Sequence, residues 1–256
     1  MTTRKITRGI SREFSENFKK CELYELSQKH RDEIFIGVRN NYLNLYYNCD
    51  SIAKVEYKKG EITCVIDKYY LDGKHYKGRD KRMIIAPSEI CNNYKVIKVN
   101  SNKKATNEKK SQSKLVLLNN NNNNSNWHCF DVEWVKAFEN QQQKNDAKFY
   151  GRFDIMAISK KKPHKVALIE LKYGSGAIGG KSGIFKHIDD FKKYQDKSYY
   201  DKQEVKEIIE IQKMLGVNIP DELKNLQLKD IEGYKFYVIT LNNNSEKENG
   251  STPKQT

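Results

Sequence analysis

No stretch of this 256-residue chain approaches the roughly 20 consecutive apolar residues that a membrane-spanning helix requires. The opening residues, Met1 to Arg8, also lack the apolar core of a secretory signal. A membrane partner is therefore not expected, and the default location is cytoplasmic. None of the five cysteines (Cys21, Cys49, Cys64, Cys91, Cys129) forms a Cys-x-x-Cys pair, which argues against structural zinc. Their odd number and wide spacing suit reduced thiols inside a cell. Acidic residues are also in short supply: 33 Asp and Glu against 47 Lys and Arg leave a net charge of +14. A surplus of this size suits a polyanionic partner, usually nucleic acid. A Lys/Asn-rich composition gives the same total on surfaces that bind nothing.

The apolar residues that are present cluster into runs. Residues from about 11 to 29 carry Phe14, Phe18, Cys21 and Leu26 at helical spacing, with Ser11 placed to cap the start. Strand signals follow at 34–38, 42–47, 52–57 and 62–66, separated by turn chemistry at Arg39-Asn40-Asn41 and at Lys58-Lys59-Gly60-Glu61. The pattern predicts a tyrosine-rich β-meander within residues 1–100. Residues 101–126, lysine-rich and then an asparagine run from Asn119 to Asn124, read as a linker or long loop. Residues 131–142 read as a helix with Trp134, Val135 and Phe138 on one face and Glu133 near its start. Helices are also predicted at about 184–194 and 202–215, a last strand at 234–239, and a disordered tail over 243–256.

The chemistry concentrates in residues 150–194. Asp154 ends Gly151-Arg152-Phe153-Asp154 in one strand, and Glu170 and Lys172 close the apolar run that begins at Val166 in the next. Side chains alternate along a strand, so Glu170 and Lys172 share a face. A run apolar on both faces is how a central strand reads. Two carboxylates and an ammonium beside such a strand are costly unless a divalent metal and a polyanion need them. The alternative is a salt-bridge set in which Lys172 neutralises Asp154 and Glu170.

This order of elements, with Glu133, then Asp154, then Glu170-x-Lys172, resembles the PD-(D/E)XK nuclease superfamily over about residues 127–242. That family places an acid on a first helix, an aspartate early in a strand and Glu-x-Lys on the next strand. Phe153 stands where the family's namesake motif has proline. The resemblance implies an α/β (α+β) fold: a restriction-endonuclease-like central mixed sheet flanked by helices, here extended by the N-terminal β-meander. It implies Mg²⁺- or Mn²⁺-dependent hydrolysis of phosphodiester bonds, with DNA the expected substrate. Asp154, Glu170, Glu133 and the main-chain carbonyl of Leu171 would hold the metal, and Lys172 would orient a water or stabilise negative charge. Arg152, Lys181, Ser182, Lys186 and His187 are the expected phosphate contacts. A homodimer would suit an enzyme that cuts both strands.

Other readings of the same residues stay open. The loop from Gly174 to Gly183 sits between a strand and a helix, as a phosphate-binding P-loop does, but Ser175 stands where the strict pattern needs glycine. A protein that binds nucleic acid without cutting it, or one whose basic surface meets an acidic partner, shares the composition. Ten lysines against four acids across residues 155–200 favour phosphate near the proposed site.

Overall fold

Ser11 accepts a hydrogen bond from the Phe14 N–H at 3.0 Å and starts helix α1 (Arg12–Lys19). The computed structural model describes residues 8–136, 138, 141–149, 151–174 and 183–241, which form a mixed α/β structure with two sheets. The single helix expected over 11–29 is two. The Lys20 N–H closes on the Asn17 carbonyl, Cys21 is extended, and α2 (Glu22–Lys29) starts afresh.

The expected meander is present. Strands β1 (Phe35–Val38), β2 (Leu43–Tyr47), β3 (Asp50–Lys58) and β4 (Glu61–Asp67) pair antiparallel in chain order. After a short helix α3 (Tyr69–Asp72), β5 (Arg82–Ile85) completes the sheet beside β4. Two of its hairpins turn on paired left-handed residues: Asn48 and Cys49 (φ 52° and 55°), and Lys59 and Gly60 (φ 53° and 84°). Such turns match the strands' own twist. Helices α4 (Pro87–Asn92) and α5 (Tyr94–Lys104) bring Ile90, Tyr94 and Ile97 into the core that holds Leu45, Val55 and Cys64.

The stretch 101–126 is not a loop. Helix α5 runs into it, and helix α6 (Asn107–Asn121) starts at Thr106, whose hydroxyl accepts from the Lys109 N–H. Few apolar residues signal α6, because polar side chains help anchor it. The buried Gln112 donates to the Asp154 carbonyl at 2.6 Å. The Asn120 amide bonds both the N–H and the carbonyl of Cys129 at 2.8 Å each, as a neighbouring strand would.

Residues 127–135 form a strand, not the start of a helix. β6 (Trp127–Val135) pairs antiparallel with β7 (Arg152–Ser159), and β7 with β8 (His164–Tyr173). Helix α7 (Gln141–Ala147) lies between β6 and β7 in the chain. Cys129 faces Ala157 while Asp131 faces Met156, so Phe130 is the extra residue of a bulge. The helical pattern rests on the adjacent apolar pair Trp134 and Val135, with which β6 ends. After β8 come α8 (Ile184–Asp196), α9 (Lys202–Met214) and β9 (Ile231–Leu241), which pairs parallel with β8. The order is β6-β7-β8-β9, a mixed sheet with β8 in its interior. α6 packs Leu115 and Val116 on one face with Ile155, Ala157 and Ala167. α8 and α9 pack Tyr194, Val205 and Ile208 on the other with Met156 and Leu168.

A buried ion network joins the two sheets. Asp131 of β6 receives Arg39, just past β1, at 2.6 Å and Arg8 at 3.2 Å. Arg39 also donates to the Tyr46 hydroxyl and to the carbonyls of Val38 and Val132, and Arg8 pairs with Glu204 of α9 at 3.4 Å. Gln212 of α9 bridges the carbonyls of Ile36 and Phe130. Among the described residues, no helix is long and apolar enough to cross a membrane.

Candidate active site

Asp154 lies where two strands part. The β7–β8 register ends at Ile155 opposite Ile169, and beyond it the Leu171 N–H donates to Asp154 Oδ2 at 2.8 Å. Phe153 and Met156, three residues apart, belong to the same core cluster, so the in-and-out alternation of β7 breaks between them. This twist, with the Gln112 bond to the Asp154 carbonyl, turns the carboxylate toward β8. Burial first, and then the negative charge of Glu170, hold the Asp154 carboxyl well above the ordinary carboxylate range. The Leu171 N–H pulls the other way, Glu133 adds to the rise, and Lys172 opposes it.

Glu170 and Lys172 project together from β8, as their spacing predicts, and both are buried. Lys172 Nζ donates to Glu170 Oε1 at 2.7 Å. His187, on the first turn of α8, stands 3.0 Å from the same oxygen and 3.3 Å from Lys172 Nζ. The other oxygen, Glu170 Oε2, is buried with no hydrogen-bond partner among the described residues.

The remaining expected residues separate. Glu133 is a strand residue whose neighbours Val132 and Trp134 face Ile155 and Phe153, which sets it beside Asp154. Its φ of 52° is unusual for a residue with a side chain, and its carboxylate is paired with Arg152 at 3.0 Å. Arg152 is exposed, and so is Lys186, one residue ahead of His187 on α8. Lys181, Ser182 and the glycine-rich loop from 175 to 182 lie outside the described residues, as does the tail from 242.

Sequence reasoning missed four residues beside this cluster. Glu108, on the first turn of α6, accepts from the Tyr173 N–H at 3.3 Å, next to Lys172 in the chain. Its signal is an acid in the first turn of the helix, two residues after the capping Thr106. Lys109 donates to Asp50, which the β2–β3 turn delivers, and senses Glu133 as well. Burial alone would lower the Lys109 pKa; the Asp50 hydrogen bond and the surrounding carboxylates reverse that, so it is raised. Burial, and after it Glu133, push the Cys49 thiol well above its usual value.

Among the described residues, no group of three or more His, Cys, Asp and Glu side chains converges as a ready-made metal cage. What converges is a pair of buried carboxylates, one with an unsatisfied oxygen, at the end of a central strand. Mg²⁺ is commonly held by one or two carboxylates with the rest of its shell from water and phosphate, so this donor set fits it. Compared with family models, curated proteins and solved structures, the chain matches none.

Proposed function

We propose that this chain is a Mg²⁺-dependent nuclease built on a restriction-endonuclease-like core. The observation that carries the proposal is Glu170. One of its oxygens is held by Lys172 and His187, and the other is buried with no hydrogen-bond partner among the described residues, beside a second carboxylate, Asp154. Leaving an acceptor unpaired and crowding two carboxylates is costly, and a bound cation removes both costs. The element order adds support. The helix preceding the three antiparallel strands is α6, and its acid is Glu108, which takes the place in the resemblance that Glu133 was expected to fill.

Asp154, Glu170 and the Leu171 carbonyl would hold Mg²⁺ or Mn²⁺, with Glu108 at the edge of the site. Bound there, the metal would lower the pKa of a coordinated water and offset the charge that develops on the phosphate. The chain's own part is positional and electrostatic. Lys172 donates protons toward the reacting phosphate or its attacking water. His187 fixes Lys172 and Glu170 from α8, and Gln112 and the Leu171 N–H fix Asp154. Arg152, at the end of β7, offers an exposed cation to the substrate backbone. DNA is the expected substrate.

Calorimetric titration with Mg²⁺ and Mn²⁺ tests the metal assignment. The unsubstituted protein should bind either ion, and Asp154→Ala and Glu170→Ala should bind neither. Equal binding by all three proteins would exclude these carboxylates as ligands.

A further inference from the structure

The meander also presents a basic furrow that leads toward the site. Across its outer face the registers set Asn44, Lys54, Val65 and Ile84 in one row, with Asp67 and Arg82 in the next. This face meets solvent: Ile84, at the end of that row, is 71% exposed. Its hollow has a volume of about 360 Å³ and is lined by Lys54, Lys81, Arg82 and Lys104, with Asp67 as the one acid in the lining. Lys54 Nζ stands 4.4 Å over the Tyr42 ring. A second hollow of about 330 Å³ shares Tyr42 and Asn44 with the first and continues to Lys136 and Glu133. Glu133 is the strand neighbour of Asp154 and the partner of the exposed Arg152. The two hollows therefore make one path from Lys104 to the edge of the candidate site.

We propose that this furrow is a DNA track: its lysines and arginine hold the phosphate backbone of the substrate and deliver it past Glu133 to Asp154 and Glu170. The inference rests on the nuclease reading for its destination, but the binding itself needs no metal. Charge complementarity selects the occupant. Four cations line the first hollow against one acid in the lining; Lys54 also pairs with Glu56 just outside it at 2.7 Å, and Asp67, the one carboxylate in Arg82's row, already serves Lys81 and Lys104, so positive charge stays in excess.

The test is the full chain carrying Lys54→Gln, Lys81→Gln and Arg82→Gln together, titrated against a labelled DNA duplex without divalent metal. Binding is followed by fluorescence anisotropy as salt rises from about 50 to about 200 mM. A control variant carries Lys19→Gln, Lys20→Gln and Lys29→Gln, the same charge change on α1 and α2. Loss of three phosphate contacts should lower the slope of log affinity against log salt by about 2 to 3 and weaken binding about tenfold or more. The control should keep the original slope, and the melting temperature of both variants should stay that of the unsubstituted protein. An unchanged slope in the furrow variant, an equal loss in the control, or no binding by the unsubstituted protein overturns the track. Cleavage is measured separately. Metal-dependent cleavage with an unchanged furrow slope would remove the track and leave the nuclease; a lost slope without any cleavage would do the reverse.

Discussion

Replacing Asp131 by alanine should unfasten the two sheets from each other. Asp131 is fully buried, and it is the carboxylate that faces both Arg39 and Arg8, whose side chains are 7% and 5% exposed. Among the described residues, Arg8 would keep Glu204 at 3.4 Å and the Val38 and Val135 carbonyls, and Arg39 would keep the Tyr46 hydroxyl and the Val38 and Val132 carbonyls. Removing one partner of a buried ion pair typically costs about 3–5 kcal/mol, because the remaining charge stays buried without compensation. Arg8 stays paired with Glu204, so Arg39 is the charge left without a carboxylate among the described residues, and the cost is about 3–5 kcal/mol. For a domain of this size that lowers the melting temperature by about 10 °C or more. Urea unfolding of the unsubstituted protein, Asp131→Ala, Arg39→Ala and the double variant measures both the cost and the coupling. The double variant should lose less than the sum of the single ones by about 1 kcal/mol or more. A cost for Asp131→Ala below about 1 kcal/mol, or strict additivity, would refute the claim that this network holds the sheets together.

Three further outcomes follow from particular side chains. His128 is fully buried with neither ring nitrogen hydrogen-bonded among the described residues, and burial, aided by Lys160, lowers its pKa to about 4. Above pH about 6.5 the ring is neutral folded or unfolded; between there and pH about 4 only the unfolded chain takes the proton, so stability falls as pH falls. Urea midpoints should show a loss of about 2.5 kcal/mol from pH about 7 to about 4.5 that His128→Leu does not share; parallel pH profiles for the two proteins would contradict this. Asn120→Ala removes both amide bonds to Cys129 and should cost about 1–3 kcal/mol, against near zero for Asn123→Ala on the exposed end of the same run. Glu133→Gly relieves the left-handed backbone at φ 52° and should leave stability unchanged or raise it by up to about 1 kcal/mol, whereas Glu133→Val should lower it; the opposite order in thermal melts would count against strain at this residue.

The parts of the molecule legible from the chain alone are those in which local chemistry and tertiary role agree. Lys59-Gly60 marked its hairpin because both residues take left-handed geometry. The Val166–Ile169 run marked an interior strand because both faces of β8 are covered. The spacing of Glu170 and Lys172 placed them on one face, and they meet at 2.7 Å. Where tertiary contacts overrode local pattern, the reading failed. β6 reads as helical because it ends on the adjacent apolar pair Trp134 and Val135, so Glu133 falls in the wrong kind of element. α6 looked like a linker because Gln112 and Asn120 anchor it through amides, which no hydropathy pattern displays. Glu108 was missed with it. Asp50 and Lys109 come together across 59 residues, a contact that only the fold creates.

The most direct test of the account is cleavage of linear, circular and single-stranded DNA with Mg²⁺ or Mn²⁺, beside Asp154→Ala and Lys172→Ala. The account predicts metal-dependent cleavage by the unsubstituted protein, lost with Asp154→Ala and reduced at least about a hundredfold with Lys172→Ala. Retained cleavage in Asp154→Ala, or none by the unsubstituted protein under any of these conditions, would contradict it.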